Sequence, residues 1–208
     1  MSTARVARST GAIAVVLGGA IFGFFYAWVC STLWGLDQVH PAVAIEAMNG
    51  MNASVQNALF FPAFFLTPVA FALAAVLALM AKRRVAALLF GGGALLLLLG
   101  VIVVTGTQNV PLNNWLAEVG PPVEASAGGL EPEEDGSIGG ENSGAGGSGT
   151  IEPEAASAAA IWERYSGSWQ AWNAVRAVSG GLALTLGAVA LLLLGSRGAR
   201  DTDLGQSG

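Results

Sequence analysis

Long apolar runs alternate with polar stretches along this chain, and the apolar runs share a common length. The hydrocarbon core of a bilayer takes about 20 mostly apolar residues in helical form, since no water is there to satisfy backbone N–H and C=O groups. Four segments meet that length: 11–33, 60–81, 85–106 and 174–195. They predict an all-α fold: a four-helix transmembrane bundle of up-down topology, one integral membrane domain over 1–208. Pro62 and Pro68 fall in the first turns of the second span, where a kink is expected. Arg5 and Arg8 precede the first span as they would a signal peptide. Its apolar run is longer than a signal core, so it is read as retained.

Two connections are long enough to carry structure. In the first, Ile45, Met48, Met51, Val55 and Leu59 recur at three- and four-residue steps beside a polar stripe of Asn49, Asn52 and Gln56. This predicts an outer amphipathic helix, opened by His40-Pro41, that lies at the interface or caps the bundle. In the second, residues 121–153 are dominated by Gly, Ser, Pro and Glu and are expected to be a disordered acidic insertion. Beyond it, Trp162, Tyr165, Trp169, Trp172, Asn173 and Arg176 share one helical face. Gly180 and Gly187 continue that face into the membrane, where small residues allow close helix contact. Ser166-Gly167-Ser168 is expected to loosen the helix just outside the bilayer.

Composition strengthens the membrane reading. The chain is 53% apolar and only 11% charged, where soluble domains carry about a quarter charged residues. Most of the acids lie between Glu118 and Glu154, so the acidic balance describes one loop. Arg5, Arg8, Lys82, Arg83, Arg84, Arg197 and Arg200 fall on one side of a four-pass arrangement, against Arg164 and Arg176 on the other. By the positive-inside rule both termini face the cytoplasm in a multi-pass protein of the cell membrane.

With one Cys and one His, the chain has no intrachain disulfide and no paired-imidazole or thiolate metal site. No phosphate loop, nucleophile elbow or basic nucleic-acid patch is present, so the expected partners are the lipid bilayer and a small hydrophobic ligand, with no nucleic acid. Cys30 is expected to be a small buried residue and His40 a loop residue. Arg176 sits about one turn inside the fourth span, where a charge must snorkel, pair with an acid or serve a ligand. Glu46 and Glu163 are its candidate partners. Asn109, Asn113 and Asn173 lie at the same depth, and Asn52, on the polar stripe of the amphipathic helix, is a further candidate to line a site. Either these groups clasp the third helix to the fourth, with the tryptophans as an interfacial belt, or they line a pocket with Trp169 and Trp172 as its walls.

Several stretches resemble the anthrone oxygenase-like family of small four-helix membrane proteins. They are Gly19-Ala20-Ile21-Phe22-Gly23-Phe24-Phe25, Ala47-Met48-Asn49-Gly50-Met51-Asn52, Asn109-Val110-Pro111-Leu112-Asn113, and Trp162-x-x-Tyr165 followed by Trp169-x-x-Trp172-Asn173-x-x-Arg176. The resemblance implies oxidation of an anthrone to an anthraquinone by molecular oxygen without metal or flavin. Asn109, Asn113, Asn173 and Arg176 would then stabilise an oxyanion, with Trp169 and Trp172 as aromatic walls. It implies no cofactor and marks no catalytic residue; Glu46, Glu163 and His40 are the nearby titratable groups. It also implies that the acidic stretch is an insertion into a shorter connection. The alternative is a non-catalytic membrane protein binding a lipid, a hydrophobic ligand or a protein partner. A carrier fits less well, since nothing charged marks a pathway at mid-membrane.

Overall fold

The structure, a computed structural model, describes residues 2–120 and 153–203. The described residues form helices and turns: α1 (Thr3–Leu36), α2 (Pro41–Ser54), α3 (Phe60–Met80), α4 (Arg84–Val119) and α5 (Pro153–Asp203). The expected insertion lies outside the described residues except for Pro153, which opens α5. Four helices are long and apolar enough to cross a membrane, and the chain is a membrane protein. α1 packs on α3 and α5, and α4 packs on the same two, which closes an up-down bundle.

α3 and α4 join through a tight turn. The N–H of Arg83 donates to the carbonyl of Ala78 and that of Lys82 to Leu79, a Schellman ending with Lys82 at φ 59°. The bundle has a Lys82 end and, opposite it, a cap end where α2 lies across α4 and α5. α3 stays helical through Pro62 and Pro68.

Steric fit, rather than polarity, holds the membrane core. Up to Phe25 the buried positions of α1 are Ala7, Gly11, Ala14, Gly18, Ile21 and Phe25, at alternating steps of four and three. Phe71 of α3 is fully buried at the centre, facing Gly18, Gly93 and Gly187 from the other three spans. A methyl group at Gly93 would stand 2.7 Å from its ring, and one at Gly187 2.8 Å. Gly180 brings α5 close to the backbone of α1, where an added methyl would lie 3.5 Å from the Cα of Phe22.

Two boundaries differ from expectation. α4 does not stop near residue 106 but runs to Val119, because π-helical stretches at Leu98–Val103 and Thr105–Asn109 precede Pro111. Pro111 then falls in the first turn of resumed α-helix, where its missing N–H is tolerated. α5 runs unbroken through Ser166, Gly167 and Ser168, since the buried Tyr165 and Trp169 grip that turn on its inner face.

The cap has its own core. Leu33, Ile45, Met48, Leu116, Trp162, Tyr165 and Trp169 form a second buried cluster, so α2 caps the bundle instead of lying flat on the membrane. Trp162 Nε1 donates to Asp37 Oδ1 at 2.9 Å, tying α5 to the end of α1. Cys30 is exposed, contrary to expectation. The π-helical stretch Trp28–Thr32 carries the buried face of α1 from Phe25 straight to Leu33, leaving Cys30 on the outward side.

Candidate functional site

Between the membrane core and the cap lies a cavity of about 910 Å³. One wall is aromatic: Phe24, Phe25 and Trp28 from α1, with Phe60, Phe61, Phe64 and Phe65 from α3. The polar wall adjoins it: Asn52 from α2, Gln56 and Asn57 from the turn before α3, Thr105, Asn109 and Asn113 from α4, and Trp169 and Arg176 from α5. Phe61, Phe65 and Val110 line the cavity and are also exposed, so its mouth opens sideways between α3 and α4, toward lipid.

The polar wall is aligned by backbone irregularity. In α4 the series Leu97, Val101, Thr105, Asn109 and Asn113 advances by fours, a step that drifts around a regular α-helix. The two π-helical stretches wind more widely there, which keeps Thr105, Asn109 and Asn113 on the inner side.

Hydrogen bonding fixes the amide orientations. Trp169 Nε1 and Tyr165 Oη donate to Asn113 Oδ1 at 2.8 and 2.9 Å. An indole N–H can only donate, so it sets which end of Asn113 is oxygen. Asn113 Nδ2 must then donate onward, and does, to Asn52 Oδ1 at 3.1 Å. Arg176 works in the same way. Its Nη2 donates to Asn173 Oδ1 at 2.8 Å, and Asn173 Nδ2 donates to the carbonyl of Phe25 at 3.3 Å. Its Nη1 reaches Thr105 Oγ1 at 3.4 Å.

Arg176 is only 5% exposed. Its guanidinium carbon lies 4.5 Å from the Phe25 ring centre and 5.1 Å from that of Trp169. Ring faces and neutral dipoles attract the cation but do not cancel its charge. Among the described residues no carboxylate pairs with it; Glu46 and Glu163, the expected partners, are exposed. Several buried polar atoms on this wall have no hydrogen-bond partner in the protein: Asn52 Nδ2, both side-chain atoms of Asn109, and Arg176 Nε. Leaving each buried and unpaired costs about 1–3 kcal/mol.

Of the residues expected from sequence, Asn52, Asn109, Asn113, Trp169 and Arg176 come together as lining. Asn173 is fully buried behind Arg176 and holds it in place. Trp172 is 36% exposed and lies outside the cavity, because the inner stripe of α5 steps from Trp169 to Asn173. Thr105, Phe25, Trp28 and the α3 phenylalanines were not anticipated. Thr105 had a signal, standing four residues before Asn109 on the same series; the phenylalanines had none that set them apart from the rest of an apolar span. His40, Glu46 and Glu163 do not line the cavity. Among the described residues no three His, Cys, Asp or Glu side chains are placed to hold a metal ion.

A family model described as anthrone oxygenase matches residues 56–186, more than half of the chain. The chain belongs to the anthrone oxygenase family. The matched residues carry α3, α4 and most of α5, and with them every lining residue of the cavity except Val55 and those of α1 and α2. No curated protein and no solved structure matches the chain.

Proposed function

We propose that this member of the anthrone oxygenase family binds a flat, lipid-soluble, oxygenated ring compound in the cavity and oxidises it with molecular oxygen. One observation carries the reading: four of the five buried side-chain atoms without a hydrogen-bond partner belong to Asn52, Asn109 and Arg176, which line a chamber rich in aromatic rings, and among the described residues no carboxylate pairs with that cation. A clasp between helices would satisfy its own hydrogen bonds; a wall that receives a ligand leaves them for the ligand. The aromatic wall suits a ring face, and the lateral mouth suits a ligand that arrives through lipid.

In an anthrone-type substrate the ring CH₂ loses a proton to give an enolate. Arg176 and the amides of Asn52 and Asn109 would hold its oxygen, favouring the anion in a site largely shielded from water. The ring carbon then forms a bond to O₂, and a proton completes the hydroperoxide. Loss of water leaves a ketone, so CH₂ becomes C=O while O₂ divides between product and water. No carboxylate or imidazole among the described residues lines the cavity, so the protein's share is lowering the acidity barrier of the substrate, and turnover should rise with pH.

The chain is placed in the cell membrane with both termini in the cytoplasm, on the distribution of Lys and Arg. The cavity then faces the outer leaflet. A second reading, non-catalytic binding of the same kind of ligand, is favoured by a lining without a carboxylate or imidazole among the described residues. Oxygen uptake by the purified protein with dithranol, a hydroxylated anthrone, separates the two. Uptake is expected, and Arg176→Gln should lower it at least about tenfold with thermal unfolding unchanged. Quenching of tryptophan fluorescence without oxygen uptake would leave only the binding reading; neither signal would remove both.

A further inference from the structure

A second depression lies beside the first. It is a groove of about 850 Å³ on the lipid-facing surface between α3 and α4, bordered by Val69, Leu88 and Leu95. Small residues make it: Ala72 and Ala75 on α3 face Gly91 and Ala94 on α4, where neighbouring turns of both helices carry Leu and Val. Phe65 and Ile102 line both the groove and the cavity, so the groove begins where the mouth of the cavity ends.

From that junction we infer that cavity and groove form one bipartite site, for an amphiphile whose flat oxygenated head enters the cavity and whose alkyl or isoprenoid tail lies in the groove. This rests on the cavity receiving such a head. Three features support the tail. The groove is almost wholly apolar, which matches a hydrocarbon and offers nothing to a polar group. From Phe65 to Ala75 it follows α3 for about 15 Å at 1.5 Å per residue, a length suited to a chain and excessive for a ring system alone. It meets the cavity mouth at Phe65 and Ile102, so the tail of a head seated against Arg176 would emerge there.

Lipid tails are as apolar as the groove, so seating a tail there yields little transfer energy. The groove contributes direction instead. It fixes how the head enters and keeps annular lipid from closing the mouth. Ala72 is exposed, and a Cβ added at Gly91 would have only Ala75 Cβ within 4 Å. Larger residues at either position therefore fill the groove without entering the core.

Protein in lipid nanodiscs is photolabelled with dantron, a hydroxylated anthraquinone, carrying a decyl tail that ends in a diazirine. Labelled peptides are located by mass spectrometry. The expected result is labelling confined to Ala72–Ala75 and Ala87–Leu95, displaced by excess tail-less dantron and lost in Gly91→Leu and Ala72→Leu, whose thermal unfolding shows that they fold. Labelling that dantron displaces but that scatters over other lipid-facing surfaces, or survives both variants, overturns the tail inference and spares the head site. Labelling that dantron fails to displace, equal in wild type and Arg176→Gln, overturns both.

Discussion

The two buried clusters of this protein are built from different materials. In the membrane core Phe71 and Phe90 interlock with glycines and alanines, and the side chains make almost no hydrogen bonds to one another. In the cap Trp162, Tyr165 and Trp169 are buried too, yet each donates a hydrogen bond to an acid or amide on, or at the end of, another helix. Surroundings explain the contrast. Lipid supplies no hydrophobic driving force between spans, so the core depends on close fit. The cap combines apolar burial with polar bonds that specify a single geometry. The cavity sits at the seam, taking its aromatic wall from the first material and its amides from the second.

The sharpest break in the core is Phe71→Ala. The glycine socket would be left empty, and stability should fall by about 3 kcal/mol, seen as a lowered thermal unfolding midpoint in detergent. A change near zero would mean that the socket is not what holds the spans.

In the cap the matching position is Asn113. Asn113→Ala strands Tyr165, Trp169 and Asn52 together, and about 2 kcal/mol should be lost. Hydrogen exchange should quicken across α2 while α3 stays protected. Equal loosening of both helices would erase the distinction between the two clusters.

Asn109 tests the seam itself. Asn109→Leu removes two unpaired buried polar atoms, so stability should stay within about 0.5 kcal/mol or rise. Dithranol turnover should nevertheless drop by about tenfold, or 1.4 kcal/mol. A loss of stability as large as that of Asn113→Ala would make Asn109 a structural clasp. The smallest effect belongs to Trp172→Phe, which should shift stability by under about 0.5 kcal/mol and leave dithranol quenching unaltered. A marked loss of quenching would bring Trp172 into the site.

Much of this was legible because the spans obey a length rule and the cap helices a periodicity rule. Asn109, Asn113, Asn173 and Arg176 could be gathered at one depth by counting residues from the span ends. Trp172 could not be placed by counting, because it and Asn173 both suit a stripe of three- and four-residue steps. Only packing chose Asn173. Thr105 was missed because a threonine inside an apolar span reads as neutral. Cys30 was misplaced because the π-helical shift at Trp28–Thr32 leaves no clear mark in the residue pattern.

The sequence alone settled that the chain crosses a membrane four times, which helices are amphipathic and which polar residues share a depth. These follow from length, periodicity and charge, which are local properties of the chain. Tertiary structure decided which face each of those residues shows. It wound α4 into the π-helical steps that align its amides, left Arg176 between two rings with no carboxylate beside it among the described residues, and opened the mouth between α3 and α4. Each depends on how helices distant in sequence displace and support one another, and no single segment carries that information.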